Sequence, residues 1–357
     1  MLRLALALRE RGHELALACP EPPEPGRRSL AGEARAAGLA PASTLWGGPG
    51  PLGLGETRDV AALAGRIAAL RPDVVHAWHT RDHLLARRAL RRARAPRPAL
   101  VRSLRSAETM PATPWSRWLL GPASDGVLCP SPDSARRNAR LRGGRPIAGA
   151  FGAVDARRFF PKAADPGVRA ALGLAPEQRV VGVVARVQSH RRFDLLLEAA
   201  RRLFAELPEA RLLVVGRGTR RHELAEAPAR RLGIAERVVF AGYRGEDYPE
   251  VLRQIEVFTF LVPGSDGTCR AVLEAAACAI PAVVSRRGAL PEIVLHRETG
   301  LVVEEDPALL AAAWRELLAD PERRADLGRA AYERAQAEFT PARLADAVEG
   351  MYRRVVR

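Results

Sequence analysis

Residues 263–285, PGSDGTCRAVLEAAACAIPAVVS, set two carboxylates, Asp266 and Glu274, eight positions apart around a glycine-bearing turn. The apolar run 257–262 before them has the length of a strand, Gly264 and Gly267 break it, and the small residues 270–279 read as a helix. Glu274 then lies about two turns from Asp266, and both acids can face the mouth of the strand. Between them the amides of Gly267, Thr268 and Cys269 fall where a helix begins, with unpaired N–H groups at the positive end of its dipole. Such a place suits a polar or anionic ligand; the plainer alternative is one buried acid and one solvated loop acid.

A second constellation is His76, His79 and His83 with Asp82. Imidazoles three and four apart can share a helix face and hold a metal. Here His76 belongs to the short apolar strand 73–77 and points away from the loop that carries His79, so a pocket or core histidine is expected. Cys19, Cys129, Cys269 and Cys278 show neither C-x-x-C pairing nor zinc spacing and read as reduced interior thiols of a cytosolic protein.

The elements that position these groups alternate. From residue 166 onward, strands are predicted at 179–185, 210–215, 238–240, 257–262, 282–285 and 300–303, with helices at 193–207, 223–232, 248–254 and 270–279 between them and further helices at 307–338 and 341–356. Alternation of this kind makes a parallel sheet covered on both faces. The first half carries a helix with Leu4 and Leu8 closed by Gly12, a strand at 14–19, an amphipathic helix at 57–70, the strand 73–77, a basic helix at 86–97, strands at 99–104 and 126–130, and a capped helix at 131–140. A doubly wound sheet opens with a strand and a glycine-rich turn, whereas this sequence opens inside a helix; a central strand is therefore expected to be missing from it.

At 357 residues the chain suits two domains, and 47% hydrophobic with 27% charged residues is globular. Lys+Arg 56 against Asp+Glu 41 gives a net charge of +15, and Lys162 is the single lysine. That balance favours phosphate-bearing ligands and anionic membrane surfaces. The arginine-rich helix lacks aromatic interleaving and any recognition motif, which argues against nucleic acid. No apolar run reaches the length of a membrane span, so any membrane contact is expected to be peripheral.

The chain resembles the glycosyltransferase family 4 group of retaining enzymes. RVQSHRRFDLLLEAA at 186–200 is similar to that family's Gly-Arg-Leu, Lys-Gly and Leu-Leu-Glu-Ala signature. LLVVGRG, VVFAGY, SDGTCRAVLEAAACAIPAVVS, LPEIV and TGLVV follow in the family's order, and RERGHELALACP, RPDVVHAWH and FGAVDARRFFP resemble elements of its first domain and linker. The resemblance implies a GT-B architecture of two Rossmann-like, doubly wound α/β domains facing a cleft. Its implied domains are an acceptor-side domain at 1–157, a nucleotide-sugar domain at 158–338, and a final helix at 339–357 packing back on the first domain.

By the same resemblance, Arg186 and Arg191 hold the donor diphosphate, Glu274 takes the ribose hydroxyls, and Asp266 with the amides of Gly267, Thr268 and Cys269 addresses the sugar and diphosphate. Gly216 and the backbone near Tyr243 border the base, and His79 touches the acceptor or the reacting centre. No D-x-D is present, so no metal or other cofactor is expected. The implied partners are a nucleotide-sugar donor and a glycan or lipid-linked acceptor, met in the cytoplasm or at the inner face of the membrane. Asp266 stands where the family has glutamate, Arg191 where it has lysine, and Arg192 where it has glycine. Arg105 stands near an expected histidine, so the acceptor side reads as damaged. A catalytically degenerate nucleotide-sugar-binding homologue and a nucleotide-sugar epimerase remain the alternative readings.

Overall fold

The computed structural model describes residues 1–20, 29–44, 54–93, 96–263 and 269–356. They form two compact units, one of residues 1–105, 109–150 and 341–357 and the other of residues 106–108 and 151–340.

In the first unit, α1 (Leu2–Glu10) leads to β1 (Ala18–Pro20), α2 (Leu30–Ala36), β2 (Ala42–Thr44), α3 (Leu54–Leu70), β3 (Val74–Ala77), α4 (Thr80–Arg92), β4 (Ala99–Ser103), α5 (Pro114–Leu120), β5 (Gly126–Cys129), α6 (Pro132–Asn138) and β6 (Ile147–Gly149). β3, β4, β5 and β6 make a parallel four-stranded sheet in that order, and β1 pairs in parallel with β2 as a separate two-stranded sheet. Two expectations need correction. The strand at 14–19 shrinks to Ala18–Pro20, because the ladder with β2 starts only at Ala18. The basic helix begins not at 86 but at Thr80, where the carboxylate of Asp82 accepts the amide of His79 at 3.0 Å and caps the first turn, and it ends at Arg92.

The second unit contains α7 (Pro166–Ala171), β7 (Arg179–Val184), α8 (Phe193–Glu206), β8 (Ala210–Val215), α9 (Ala227–Arg231) continuing a π turn at His222–Glu226, β9 (Val238–Gly242), α10 (Tyr248–Leu252), β10 (Val257–Phe260), α11 (Arg270–Ala277), β11 (Ala282–Ser285), α12 (Leu290–Ile293), β12 (Gly300–Val303), α13 (Pro307–Ala319) and α14 (Pro321–Glu338). Helices α13 and α14 separate at Asp320, whose side chain accepts the amide of Arg323, and Pro321 adds a residue with no N–H to donate. The six strands form one parallel sheet, β12-β11-β10-β7-β8-β9. Successive residues turn to opposite faces and both faces are buried. Val180, Leu213 and Val215 pack with Val272 and Leu273 of α11, while Val181, Leu212 and Val214 pack with Leu195 and Leu196 of α8 and Trp314 of α13.

The last helix, α15 (Pro341–Val355), returns to the first unit, where Ala345 and Val348 bury against Leu4 and Leu8 of α1 and Leu128 of β5. A polar contact ties it further. The ring of His76 on β3 bonds the Tyr352 hydroxyl through Nδ1 and the Ser103 hydroxyl through Nε2, each at 2.8 Å, and lies against Trp78. Burial holds the pKa of His76 down to about 3, and burial with the nearby Arg102 holds that of His83 to about 4.

Both imidazoles are neutral in the native protein but take up protons in the unfolded chain below its ordinary pKa of about 6.5. The unfolded state then binds more protons between that value and the native ones, so this contribution to stability is complete above it and is lost as pH falls through the window. Thermal unfolding followed by circular dichroism should give a melting temperature that drops from neutral pH toward pH 5 (about two units below) less steeply in His76→Asn than in the native chain. Identical slopes would contradict this.

Candidate functional site

In the six-stranded sheet β7 and β10 lie side by side, yet the chain leaves β7 for β8 through α8 on one face and leaves β10 for β11 through α11 on the other. A crevice opens beyond the carboxyl ends of two such strands, and ligands of open α/β sheets bind there. The residues that emerge are Ala185 to Val187 after β7 and Leu261 to Pro263 after β10.

Arg186 is exposed and makes no hydrogen bond or ion pair among the described residues. Arg191 closes a 3-10 turn, donates from Nη1 to the carbonyl of Val262 at 2.6 Å, and lies over the Phe260 ring at 5.3 Å. It thereby joins the two loops that border the crevice. The next residue, Arg192, has a φ of 55°, a left-handed conformation that favours glycine. Its guanidinium is anchored on Asp194 at 3.2 Å and on Glu305 at 2.7 Å.

Gly216 follows β8 with a φ of 144°, and a Cβ there would stand 2.0 Å from the carbonyl oxygen of Ala185. The close approach is used. Ala185 donates to Val215 at 3.0 Å, Val187 to Arg217 at 3.1 Å, and Gly216 to Gly242 at 2.8 Å, so three strand ends are sewn together beside Arg186. Tyr243, next to Gly242, is 57% exposed with the Arg217 guanidinium over its ring at 5.1 Å.

Glu274 sits in α11 and is only 5% exposed. Tyr248, at the start of α10, donates its hydroxyl to Glu274 Oε2 at 2.9 Å, and Arg270 stands 3.6 Å from Oε1. Burial, then the adjacent Glu274 charge, push the Tyr248 hydroxyl well above its usual pKa, so it stays a donor. Cys269, buried with a φ of 48°, is the N-cap of α11. Asp266, Gly267 and Thr268 lie outside the described residues. Sequence reasoning missed Tyr248, since nothing local marks a phenol 26 positions away as the partner of Glu274.

In the first unit, His79 is the N-cap of α4, and Arg105, just beyond β4, donates from Nη1 to His79 Nδ1 at 2.9 Å. A guanidinium only donates, so Nδ1 is the unprotonated nitrogen of that ring. Arg105, read from sequence as damage, is engaged with His79. The three imidazoles go to separate partners: His76 to Tyr352 and Ser103, His79 to Arg105, and buried His83 toward Ser124 at 3.5 Å. Among the described residues no group of three or more His, Cys, Asp and Glu side chains is arranged to hold a metal ion.

Two Rossmann-like parallel-sheet units, of four and six strands, define the GT-B class of fold. Comparisons with known proteins agree. The family described as "Glycosyltransferase Family 4" matches residues 1–148, and "Glycosyl transferases group 1" matches residues 166–334. The GDP-mannose-dependent alpha-(1-6)-phosphatidylinositol monomannoside mannosyltransferase of Mycolicibacterium smegmatis is 35% identical over 213 residues, 55% of this chain and 54% of that protein. The lipopolysaccharide core biosynthesis mannosyltransferase LpsB of Rhizobium meliloti is 30% identical over 237 residues, 64% of this chain and 65% of that protein. The crystal structure of Anabaena Alr3699/HepE in complex with UDP and glucose superposes with a TM-score of 0.77 at 19% identity, covering 98% of this chain and 93% of that one. The matched segments span about half to two-thirds of these curated relatives. The chain belongs to glycosyltransferase family 4 and has the GT-B fold.

Two substitutions test this geometry. Tyr248→Phe removes a donor from a buried carboxylate and should cost about 1–3 kcal/mol in denaturant unfolding, the range for a buried polar group that loses a partner. Gly216→Ala forces a Cβ onto a carbonyl and should lower stability by more than the ~1 kcal/mol typical of a point change. A melting temperature equal to that of the native chain in either variant would show that the contact is misplaced.

Proposed function

We propose that this chain is a retaining glycosyltransferase that moves a sugar from a nucleotide-sugar donor to a cell-envelope polysaccharide or lipid-linked acceptor. The observation that carries the reading is the placement of Arg186 and Arg191 at the carboxyl ends of β7 and β10, in the same unit as a carboxylate, Glu274, oriented by Tyr248. When the bond between the anomeric carbon and the diphosphate opens, negative charge grows on the leaving phosphate. Guanidinium donors placed there stabilise that charge more than the ground state, which lowers the barrier. Two arginines supply the positive charge in this reading, so no divalent ion is needed.

Glu274 accepts the ribose hydroxyls, while the Cys269 amide at the head of α11, with Asp266, Gly267 and Thr268, addresses the sugar and diphosphate. The backbone at Gly216 and the exposed ring of Tyr243 border the base. His79, held by Arg105, is assigned to the acceptor or the reacting centre. The printed names of the relatives, one acting on a phosphatidylinositol monomannoside and one on a lipopolysaccharide core, support an envelope acceptor. In this reading the protein works in the cytoplasm and meets the inner face of the membrane peripherally; no helix of the described residues is long and apolar enough to cross it.

Calorimetric titration with a panel of nucleotide sugars, paired with turnover assays, separates the roles. Glu274→Ala should weaken donor binding by about tenfold or more, the loss of one charge-assisted bidentate contact. Arg186→Ala should lower kcat by about a hundredfold with a smaller change in affinity. Turnover should persist in a chelator. Donor binding without transfer by the native protein would instead identify a degenerate homologue, and an epimerised free sugar would identify the epimerase alternative.

A further inference from the structure

A second surface of the first unit has a different chemistry. Helix α5 leaves Trp115 51% exposed and sets it against Trp118, ring centroids 5.0 Å apart at an interplanar angle of 31°. Trp118 in turn lies under Arg87 of α4, whose guanidinium is 5.2 Å from the ring centre and reaches the carbonyl of Pro122 at 3.5 Å. Arg91 and Arg97 stand close enough to act on Arg87, whose pKa is lowered first by burial and then by their charge. Asp125, the acid that also acts on it, is already bonded by Arg97 at 3.0 and 3.2 Å. Residues 111–115 and Arg117, in and just before the same helix, are exposed as well.

We propose that this patch, centred on Trp115 with Arg87, Arg91 and Arg117, seats the first unit on an anionic phospholipid surface. Indole rings favour the zone between headgroups and chains, because the apolar body leaves water while the N–H stays hydrated. Crowded guanidinium groups gain most from a surface that offers many phosphates at once, and each basic residue near such a surface adds to the attraction. The chain's +15 net charge acts in the same direction. Single-stranded nucleic acid fits less well: it needs a row of open aromatic faces, whereas Trp118 is covered by Arg87 and Trp115, leaving Trp115 as the exposed ring of the pair. The proposal rests on the glycosyl-transfer reading only for why a membrane should be near, and its vesicle-binding assay needs neither donor nor acceptor.

The full chain is co-sedimented with phosphatidylcholine vesicles that either lack or contain about 30 mol% phosphatidylglycerol, a composition that raises the negative surface potential. Binding should require the anionic lipid and weaken with salt. Trp115→Ala should cut binding by about tenfold and abolish the lipid-induced blue shift of tryptophan fluorescence, and the pair Arg91→Glu and Arg117→Glu should cut it by at least as much. Arg201→Glu with Arg202→Glu, an equal change of charge on α8 of the second unit, should leave vesicle binding in place. Donor affinity by calorimetry should be the same in Trp115→Ala and the native chain. Equal binding to neutral vesicles, equal loss in the α8 variant, or tighter Trp115-dependent binding of a single-stranded oligonucleotide would each overturn the proposal.

Discussion

The second unit depends on one topological constraint. Parallel strands are joined by right-handed crossovers, and a crossover must lie on one face of the sheet or the other. From β7 the chain crosses through α8, and from β10 through α11 on the opposite face, so nothing bridges the adjacent carboxyl ends of these two strands. Backbone leaving a buried strand there has polar groups to satisfy and no helix above it. The solution is a bond between loops: Arg191 donates to Val262, and its planar group covers Phe260. Arg186, Arg191 and Cys269 lie on the loops and helix start that flank this reversal, Gly216 and Tyr243 follow the neighbouring strands β8 and β9, and Glu274 sits within α11.

Holding those loops costs conformational strain, and the compensation can be seen. Arg192 occupies a left-handed conformation that disfavours any side chain by about 1–2 kcal/mol, and two carboxylates, Asp194 and Glu305, offset that cost through its guanidinium. Gly216 needs no such compensation, because without a Cβ its backbone can approach Ala185 directly. The two positions meet the same demand for a tight loop in opposite ways, one with an anchored long side chain and one with none.

Helix α4 of the first unit is used along its whole length. Its N-terminus carries His79, capped by Asp82 and held by Arg105; its inner face buries His83 and Ala89; and Arg87, between them in sequence, covers Trp118. The arginine at 105 stands near the place of an expected histidine and puts a charged donor on another imidazole. A residue that reads as a loss in one dimension is a contact in three.

The sequence by itself determined the alternation of strands and helices in the second unit, the strand–loop–helix context of Glu274 and the family, because these rest on local periodicity and on motifs within short windows. β11 and β12 lie where the pattern placed them, and β10 begins where it was expected. The three-residue strands β1, β2 and β6 are too short to show a period, and their existence is decided by pairing partners far along the chain. Tertiary structure alone decided that Tyr248 serves Glu274, that Arg191 ties β10 to β7, that Tyr352 is the partner of His76, and that Trp118 lies under Arg87. Each of these contacts joins groups between 26 and 276 positions apart and on separate elements. No propensity of either residue encodes such a meeting; only the sheet order and the helix packing bring the two within bonding distance.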